Sequence, residues 1–290
     1  MNSLAPEGMR EIVMTMRERL PLPLRRLLRR LREVPGDALD ALRRRPGRVI
    51  PPRRMVNFVG GGDFERIGQE FMGYFVELGG LTPDDSVLDV GCGAGRMALP
   101  LTRFLSGAGR YEGFDIAREE IAWCRKQITP RFPAFRFQDV DLYNSVYNPG
   151  GALQPSTFRF PYGEGTFSFV FLISVFTHLL PAELEHYLEE IARVARPGAH
   201  VLVTFFLLNE ESRRLIAEGK SSLPFSHDVG GALTTDSRKP EAAVAYDEQH
   251  VRTLFGRLGF SVMSLHYGSW CGRNDHVSYQ DIIVAERTGA

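Results

Sequence analysis

Val87-Leu88-Asp89-Val90-Gly91-Cys92-Gly93-Ala94-Gly95 is the stretch on which the fold turns. A short apolar run ends in three glycines at alternate positions and leads straight into Arg96-Met97-Ala98-Leu99, a helix-forming segment. Glycines placed there let the chain turn tightly and let a ligand approach the backbone. A second apolar run, 110–116, carries Asp115, 20 residues after Gly95. A carboxylate at the end of the neighbouring strand can accept hydrogen bonds from both hydroxyls of a ribose. Together the two features favour a ligand that contains a nucleoside.

Outward from this stretch, apolar strands and amphipathic helices alternate from residue 84 onward, the signature of an open, mostly parallel sheet. Strands are predicted near 86–91, 110–116, 134–141, 167–175 and 199–208, with helices near 95–105, 118–127 and 182–195 between them. The last of these helices carries Leu184, Leu188, Ile191 and Val194 on one face and is expected to stop at Arg196-Pro197-Gly198. A polar insertion follows at about 210–245. Asp247 to Leu258 reads as a helix, then Ser261 to Tyr267 and Tyr279 to Glu286 as strands. The connector between these two is too short for a crossover helix, so they are expected to pair antiparallel. A further helix is predicted from Phe64 to Leu78, after Gly60-Gly61-Gly62.

A glycine turn plus a ribose acid suits either a nicotinamide dinucleotide or S-adenosylmethionine. The dinucleotide fingerprint G-x-G-x-x-G needs a small third residue where this chain has Arg96, a bulky group where helix and strand must pack closely. Asp89, two residues before the first glycine, would repel a pyrophosphate but can face the cationic end of a sulfonium amino acid. The chain at this point resembles the class I S-adenosylmethionine-dependent methyltransferase family, whose first motif stands here as VLDVGCGAGRMALPL, Val87 to Leu101. The resemblance continues through YEGFDI (Tyr111 to Ile116), Asp139-Val140-Asp141-Leu142, SVFTHL (Ser174 to Leu179) and EIARVARPGAHVLVTFF (Glu190 to Phe206), spanning residues 56 to 287.

The resemblance implies a three-layer α/β/α fold with a seven-stranded, mostly parallel sheet and an antiparallel last strand; residues 1–54, outside it, are read from their own composition as an Arg-rich helical extension and connector. It implies S-adenosylmethionine as cofactor and S-adenosylhomocysteine as product. Gly91, Gly93 and Gly95 are then expected along the methionine and ribose, and Asp115 on the ribose. An acid after the third strand is expected to meet the adenine amino group. Asp139 and Asp141 both suit that role, and the following Leu142 favours Asp141. Arg96, Ile116, Leu142 and Ser174 flank these positions and complete the expected cofactor set with Asp89.

Methyl transfer is an in-line displacement with an activated leaving group, so the protein mainly aligns the nucleophile and, for a hydroxyl, removes its proton. His178, just past the fourth strand, is the first candidate base, because the carboxyl ends of the strands face the ligand crevice. His227 in Pro224–Asp228 and His276 in Arg273–His276 are the rivals, each in a loop able to close over the site. The fourth strand ends in Phe171-Leu172-Ile173-Ser174 and lacks the Asn/Asp-Pro-Pro-aromatic box of amino-methylating nucleic-acid enzymes. It also lacks the acidic pair of arginine methylation and the Asp that opens a catechol-type magnesium site. Metal-independent O-methylation of a small-molecule, glycan or lipid-linked hydroxyl is the expectation. The insertion 210–245 and the N-terminal residues to about 75 are expected to cover the acceptor, with Phe58, Phe64, Tyr74, Phe225, Tyr267 and Trp270 available to line its pocket. Two other classes compete: an aminopropyltransferase, for which no acidic cluster follows strand four, and a non-catalytic scaffold of the same fold.

Composition bounds the remainder. The 290 residues are 43% hydrophobic and 24% charged, enough for one large domain with an appendage. No apolar run is long enough to cross a bilayer and no secretory signal is evident, so a cytoplasmic protein is expected. Cys92, Cys124 and Cys271 are too few and scattered for a disulfide framework. The net charge of zero conceals a split: residues 1–54 hold 14 Arg, no Lys and 6 acidic residues, a net of +8, and the remainder carries −8. Within 21–33 the leucines 24, 27, 28 and 31 recur at helical spacing among arginines. This basic helix suits either an anionic membrane surface or packing of its leucines on the main domain. Nucleic acid is disfavoured, because no aromatics interleave the arginines and the rest of the chain is acidic.

Overall fold

A computed structural model describes residues 49–58 and 62–289. The chain divides into two units, Met1–Gly62 and Asp63–Ala290. In the first, the described part is a short helix, α1 (Arg53–Phe58), entered through Pro51-Pro52, whose second carbonyl accepts the amides of Met55 and Val56. The predicted basic helix over 21–33 lies outside the described residues.

The second unit opens with α2 (Phe64–Glu77), capped by Asp63, whose carboxylate accepts the Arg66 amide at 3.0 Å. Its buried stripe is Phe64, Gly68, Phe71 and Phe75. Six further elements then follow: β1 (Ser86–Val90), α3 (Ala98–Leu101), β2 (Arg110–Asp115), α4 (Arg118–Gln127), β3 (Phe135–Asp139) and β4 (Phe167–Leu172), the last two joined by a long loop in place of a helix. After them come α5 (Pro181–Val194), β5 (Ala195–Phe205), β6 (Leu207–Leu208), α6 (Glu210–Ala217), β7 (His227–Asp228), β8 (Ala232–Thr234) and β9 (Val244–Asp247). The chain ends with α7 (Glu248–Arg257), β10 (Phe260–His266) and β11 (Asp281–Arg287).

Seven strands form the main sheet in the order β10-β11-β5-β4-β1-β2-β3. β11 runs antiparallel to both neighbours and the rest are parallel, as the short connector required. All six residues of β4 are buried, the pattern of a strand covered by helices on both faces. Leu184, Leu188, Ile191 and Val194 of α5 are fully buried against the sheet. Strand order reverses between β4 and β1, and a crevice for ligands opens beyond the carboxyl ends of strands at such a point.

Two elements differ from expectation. The helix after the glycine turn is only Ala98–Leu101, carried to Leu105 by single turns, because Ser106-Gly107-Ala108-Gly109 follow and cannot sustain it. The insertion at 210–245 is folded rather than irregular. It supplies α6, β7 and β8, and with β6 and β9 makes a second sheet in the order β6-β9-β8-β7. Its own small core contains Phe206, Leu208, Leu215, Phe225 and Trp270.

Asp281 fastens this second sheet to the first. It is fully buried at the start of β11 and accepts the amides of Leu207 and Gly268, the Trp270 indole N–H, each at 2.7 Å, and the Arg273 guanidinium at 3.2 Å. Burial pushes its carboxyl up to about 6, against the pull of those four donors.

Candidate functional site

The loop after β1 is shaped by backbone that only glycine adopts easily: Gly91, Gly93 and Gly95 have φ of 84°, 50° and 75°. A Cβ on Gly91 would run into the Val175 side chain, and one on Gly95 would lie 2.8 Å from Ile128 and 3.2 Å from Cys124. The turns following β1 and β4 therefore touch, and the loop lies flat on α4. From the other side, Gly68 of α2 sits where an added Cβ would be 2.7 Å from the Arg96 carbonyl oxygen. The Arg96 guanidinium stands 5.5 Å from the Phe64 ring centre.

Asp115 closes β2 beside this loop and is partly exposed. Its two carboxylate oxygens accept the amides of Gly93 and Ala117, each at 2.7 Å. Burial raises its pKa, and the amides of Ala117, Gly93 and Ile116 oppose the rise. Held this way, the carboxylate cannot rotate, yet each oxygen keeps a further lone pair for an outside donor. Asp89 differs. It is 2% exposed and receives the Tyr111 hydroxyl at 2.6 Å, a bond from the neighbouring strand. Burial pushes it up to about 8, with the Tyr111 bond acting downward and Asp115 upward.

The two acids after β3 occupy different surroundings. Asp139 sits opposite Asp115 in the sheet and is ion-paired to Arg125 at 2.7 Å and Arg118 at 3.5 Å. Asp141 opens the loop 140–153, where the Asn148 side-chain amide and the Ala152 amide reach it only at 3.2 and 3.4 Å. Leu142 is buried and bridges to Leu153, closing that loop. Ile116 packs on the edge of the main core.

Past β4, Ser174 has a φ of 59°, the only non-glycine residue with positive φ among the described residues. Its amide is held by the Thr204 hydroxyl at 2.8 Å and its own hydroxyl donates to Gln280 at 3.0 Å. A serine kept in this conformation costs about 1 kcal/mol or more and is found where surrounding structure enforces it, commonly at functional sites.

His178 ends the 3-10 turn Phe176–His178 that follows. Its Nδ1–H donates to the Glu241 carbonyl at 2.8 Å, and its ring meets Tyr147 edge-on at 5.4 Å. Burial lowers its pKa, only partly offset by the Glu241 and Ala242 backbone groups. His227 lies exposed on β7, the outer strand of the second sheet, and His276 lies exposed in the β10–β11 connector with Nδ1 on the Asn274 carbonyl. Neither is drawn into the cluster around His178. Of the aromatic residues expected to line a pocket, Phe225 and Trp270 are spent in the core of the second sheet, and Phe64 in the α2 stripe. Tyr147, Ser145 and Glu241, which surround His178, gave no signal in the sequence, since they come together only through the folding of separate loops.

A family model described as "Methyltransferase domain" matches residues 88–203, from β1 into β5. Residues 88–203 therefore match a methyltransferase domain. Solved structures agree on its fold. A SAM-dependent methyltransferase from Methanosarcina mazei is 19% identical with a TM-score of 0.50, covering 74% of this chain and 98% of its own. A protein from Pyrococcus horikoshii OT3 is 16% identical with a TM-score of 0.54, covering 79% and 93%. Magnesium protoporphyrin IX methyltransferase from Synechocystis, solved with bound SAH, is 17% identical with a TM-score of 0.50, covering 80% and 92%. Among the described residues, no helix of the methyltransferase domain or of α1 is long and apolar enough to cross a membrane.

Proposed function

We propose that this chain transfers a methyl group from S-adenosylmethionine to a hydroxyl oxygen of a small-molecule, glycan or lipid-linked acceptor, without a metal ion and with His178 as general base. The residues present fit the cofactor. Three glycines in left-handed backbone leave the β1 turn free of side chains, and Asp115 offers two immobilised oxygens to a ribose diol. Asp141, more loosely held than the ion-paired Asp139, is the acid for the adenine amino group. S-adenosylmethionine supplies an electrophilic methyl group when bound.

The observation that carries the oxygen-acceptor reading is the state of His178. With Nδ1–H given to a backbone carbonyl, the lone pair resides on Nε2, and burial keeps the ring neutral at pH 7. That nitrogen would take the proton of an acceptor hydroxyl as its oxygen bonds the methyl carbon, the carbon–sulfur bond of the sulfonium breaks, and S-adenosylhomocysteine is left. The insertion 210–245 covers the acceptor, a role supported by Glu241 reaching the base from it.

Calorimetric titration with S-adenosylmethionine and S-adenosylhomocysteine tests the cofactor half, with Asp115→Ala as control. Saturable binding lost in the variant is expected; no binding by the wild type would overturn the reading. An acceptor screen of phenols, glycans and lipid-linked sugars then tests the other half, and methyl transfer only to nitrogen or carbon acceptors would refute O-methylation.

A further inference from the structure

The surroundings of His178 come from three separate parts of the chain. The base stands on the turn after β4. The carbonyl that holds its Nδ1–H belongs to Glu241, in the insertion between β8 and β9. The Glu241 side chain is 6% exposed and accepts the Ser145 hydroxyl at 2.7 Å, and Ser145 lies in the loop 140–153 that follows Asp141. The same loop presents Tyr147, whose ring packs against the imidazole and whose hydroxyl is pushed up first by burial and then by the charge of Asp115. Tyr147 therefore packs on the base and lies within the electrostatic reach of Asp115.

The turn that carries Glu241 is itself fastened. The Thr234 hydroxyl of β8 donates to the Pro240 carbonyl at 2.8 Å, and the Ala242 amide to the Lys239 carbonyl at 2.9 Å. A glutamate buried in a short polar turn needs a reason, because desolvating a carboxylate is costly unless its partners compensate. Here it has one hydroxyl partner, and that partner is in the loop beside the cofactor acids. This bond ties the turn to the loop and so fixes where the Glu241 carbonyl lies.

We propose that Glu241 is the positioning residue for His178: its carboxylate, latched to Ser145, fixes its own main-chain carbonyl so that the imidazole is held as the Nδ1–H tautomer with Nε2 free to accept a proton. This rests on the reading of His178 as the general base. Free histidine in water favours the opposite tautomer, with the proton on Nε2, so the latch sets the orientation of the base by overriding an intrinsic preference. A proton-accepting Nε2 is then available before any acceptor arrives.

Nitrogen-15 spectra of the imidazole groups at pH 7 test this without an acceptor, because the two ring nitrogens of a neutral histidine resonate far apart and reveal which one is protonated. The His178 signals are identified by their loss in His178→Gln. The wild type is expected to show Nδ1 protonated and Nε2 bare. Glu241→Ala and Ser145→Ala are expected to shift the His178 signals toward the Nε2–H tautomer, while Glu241→Gln, whose amide oxygen still accepts the Ser145 hydroxyl, keeps the wild-type pattern. A merely structural bond would lower stability in both alanine variants and leave the tautomer unmoved, and that result would overturn the proposal. So would an Nε2–H wild type. Should Glu241→Ala not fold, Ser145→Ala decides, since it removes one hydroxyl only. The base reading fails separately: if Nδ1 is protonated as expected but His178→Gln retains full turnover, the positioning holds and the catalytic assignment falls.

Discussion

Asp89→Asn isolates the most heavily buried acid of the site. In the folded chain its carboxyl is pushed up to about 8, whereas an unfolded aspartate titrates near its ordinary value of 3.8. A raised folded value means that the native state binds the proton more tightly. The contribution to stability is thus fully present at acid pH, is lost progressively as pH rises from about 4 to about 8, and is constant above. Each pH unit in that window costs about 1.4 kcal/mol, so between pH 6 and pH 8 alone Asp89 removes roughly 2 to 3 kcal/mol. His178, with its folded value lowered below the ordinary 6.5, slopes the other way and only at the acid end of the range, because its neutral form is favoured by folding. Asparagine cannot ionise and still offers an oxygen to the Tyr111 hydroxyl, so the variant is expected to lose this slope. Urea titrations of wild type and variant at half-unit steps from pH 6 to pH 8.5 measure it. The difference in unfolding free energy should move in favour of Asn by about 2 to 3 kcal/mol across the range. Parallel pH dependences would show that Asp89 is already ionised at pH 6 and would refute the burial argument.

Gly91→Ala forces an L side chain into a φ of 84° and against Val175, so a loss of about 1 to 3 kcal/mol in thermal unfolding is expected, along with at least tenfold weaker cofactor binding by calorimetry. With an acceptor in hand, kcat/KM should fall on the acid side with an apparent pKa below 6.5, because burial lowers that of His178, and His178→Ala should reduce kcat by about a hundredfold or more. An acid limb centred above 6.5 would point to a different base. Trp270→Phe keeps an aromatic, though smaller, side chain but removes the indole N–H from Asp281, and should cost about 1 to 3 kcal/mol by urea denaturation while leaving cofactor affinity unchanged.

The parts of the chain that were legible in the sequence are those governed by local rules. Val87–Gly95 announces a strand and a turn because glycine at alternate positions has few other uses, and the leucine spacing of α5 survives unchanged in the structure. The antiparallel pairing of β11 followed from connector length alone. The second sheet was hidden because β6, β7 and β8 are two or three residues long, too short for an alternation of polar and apolar residues to register. The burial of Asp89 and its bond to Tyr111 on the neighbouring strand are set by the sheet, and sequence spacing does not reveal them. The setting of His178 was equally unreadable, since Glu241 lies 63 positions away and Ser145 lies 33 before it.

The anchoring of the second sheet by Asp281 bears on how such a domain can change over time or be redesigned. In this chain the Leu207 amide, the Trp270 indole and the Arg273 guanidinium all converge on one carboxylate inside the protein. Arg273 in turn reaches out to Glu211 and Asn209 at the head of α6. A graft that replaced 210–245 without supplying an equivalent for Glu211 would leave a guanidinium that is 2% exposed with Asp281 as its one remaining carboxylate partner, itself shared with three other donors. A library confined to the outer residues of β7 and the turn 229–231, which Asp281 does not touch, should therefore retain far more folded members than one spread across the whole insertion.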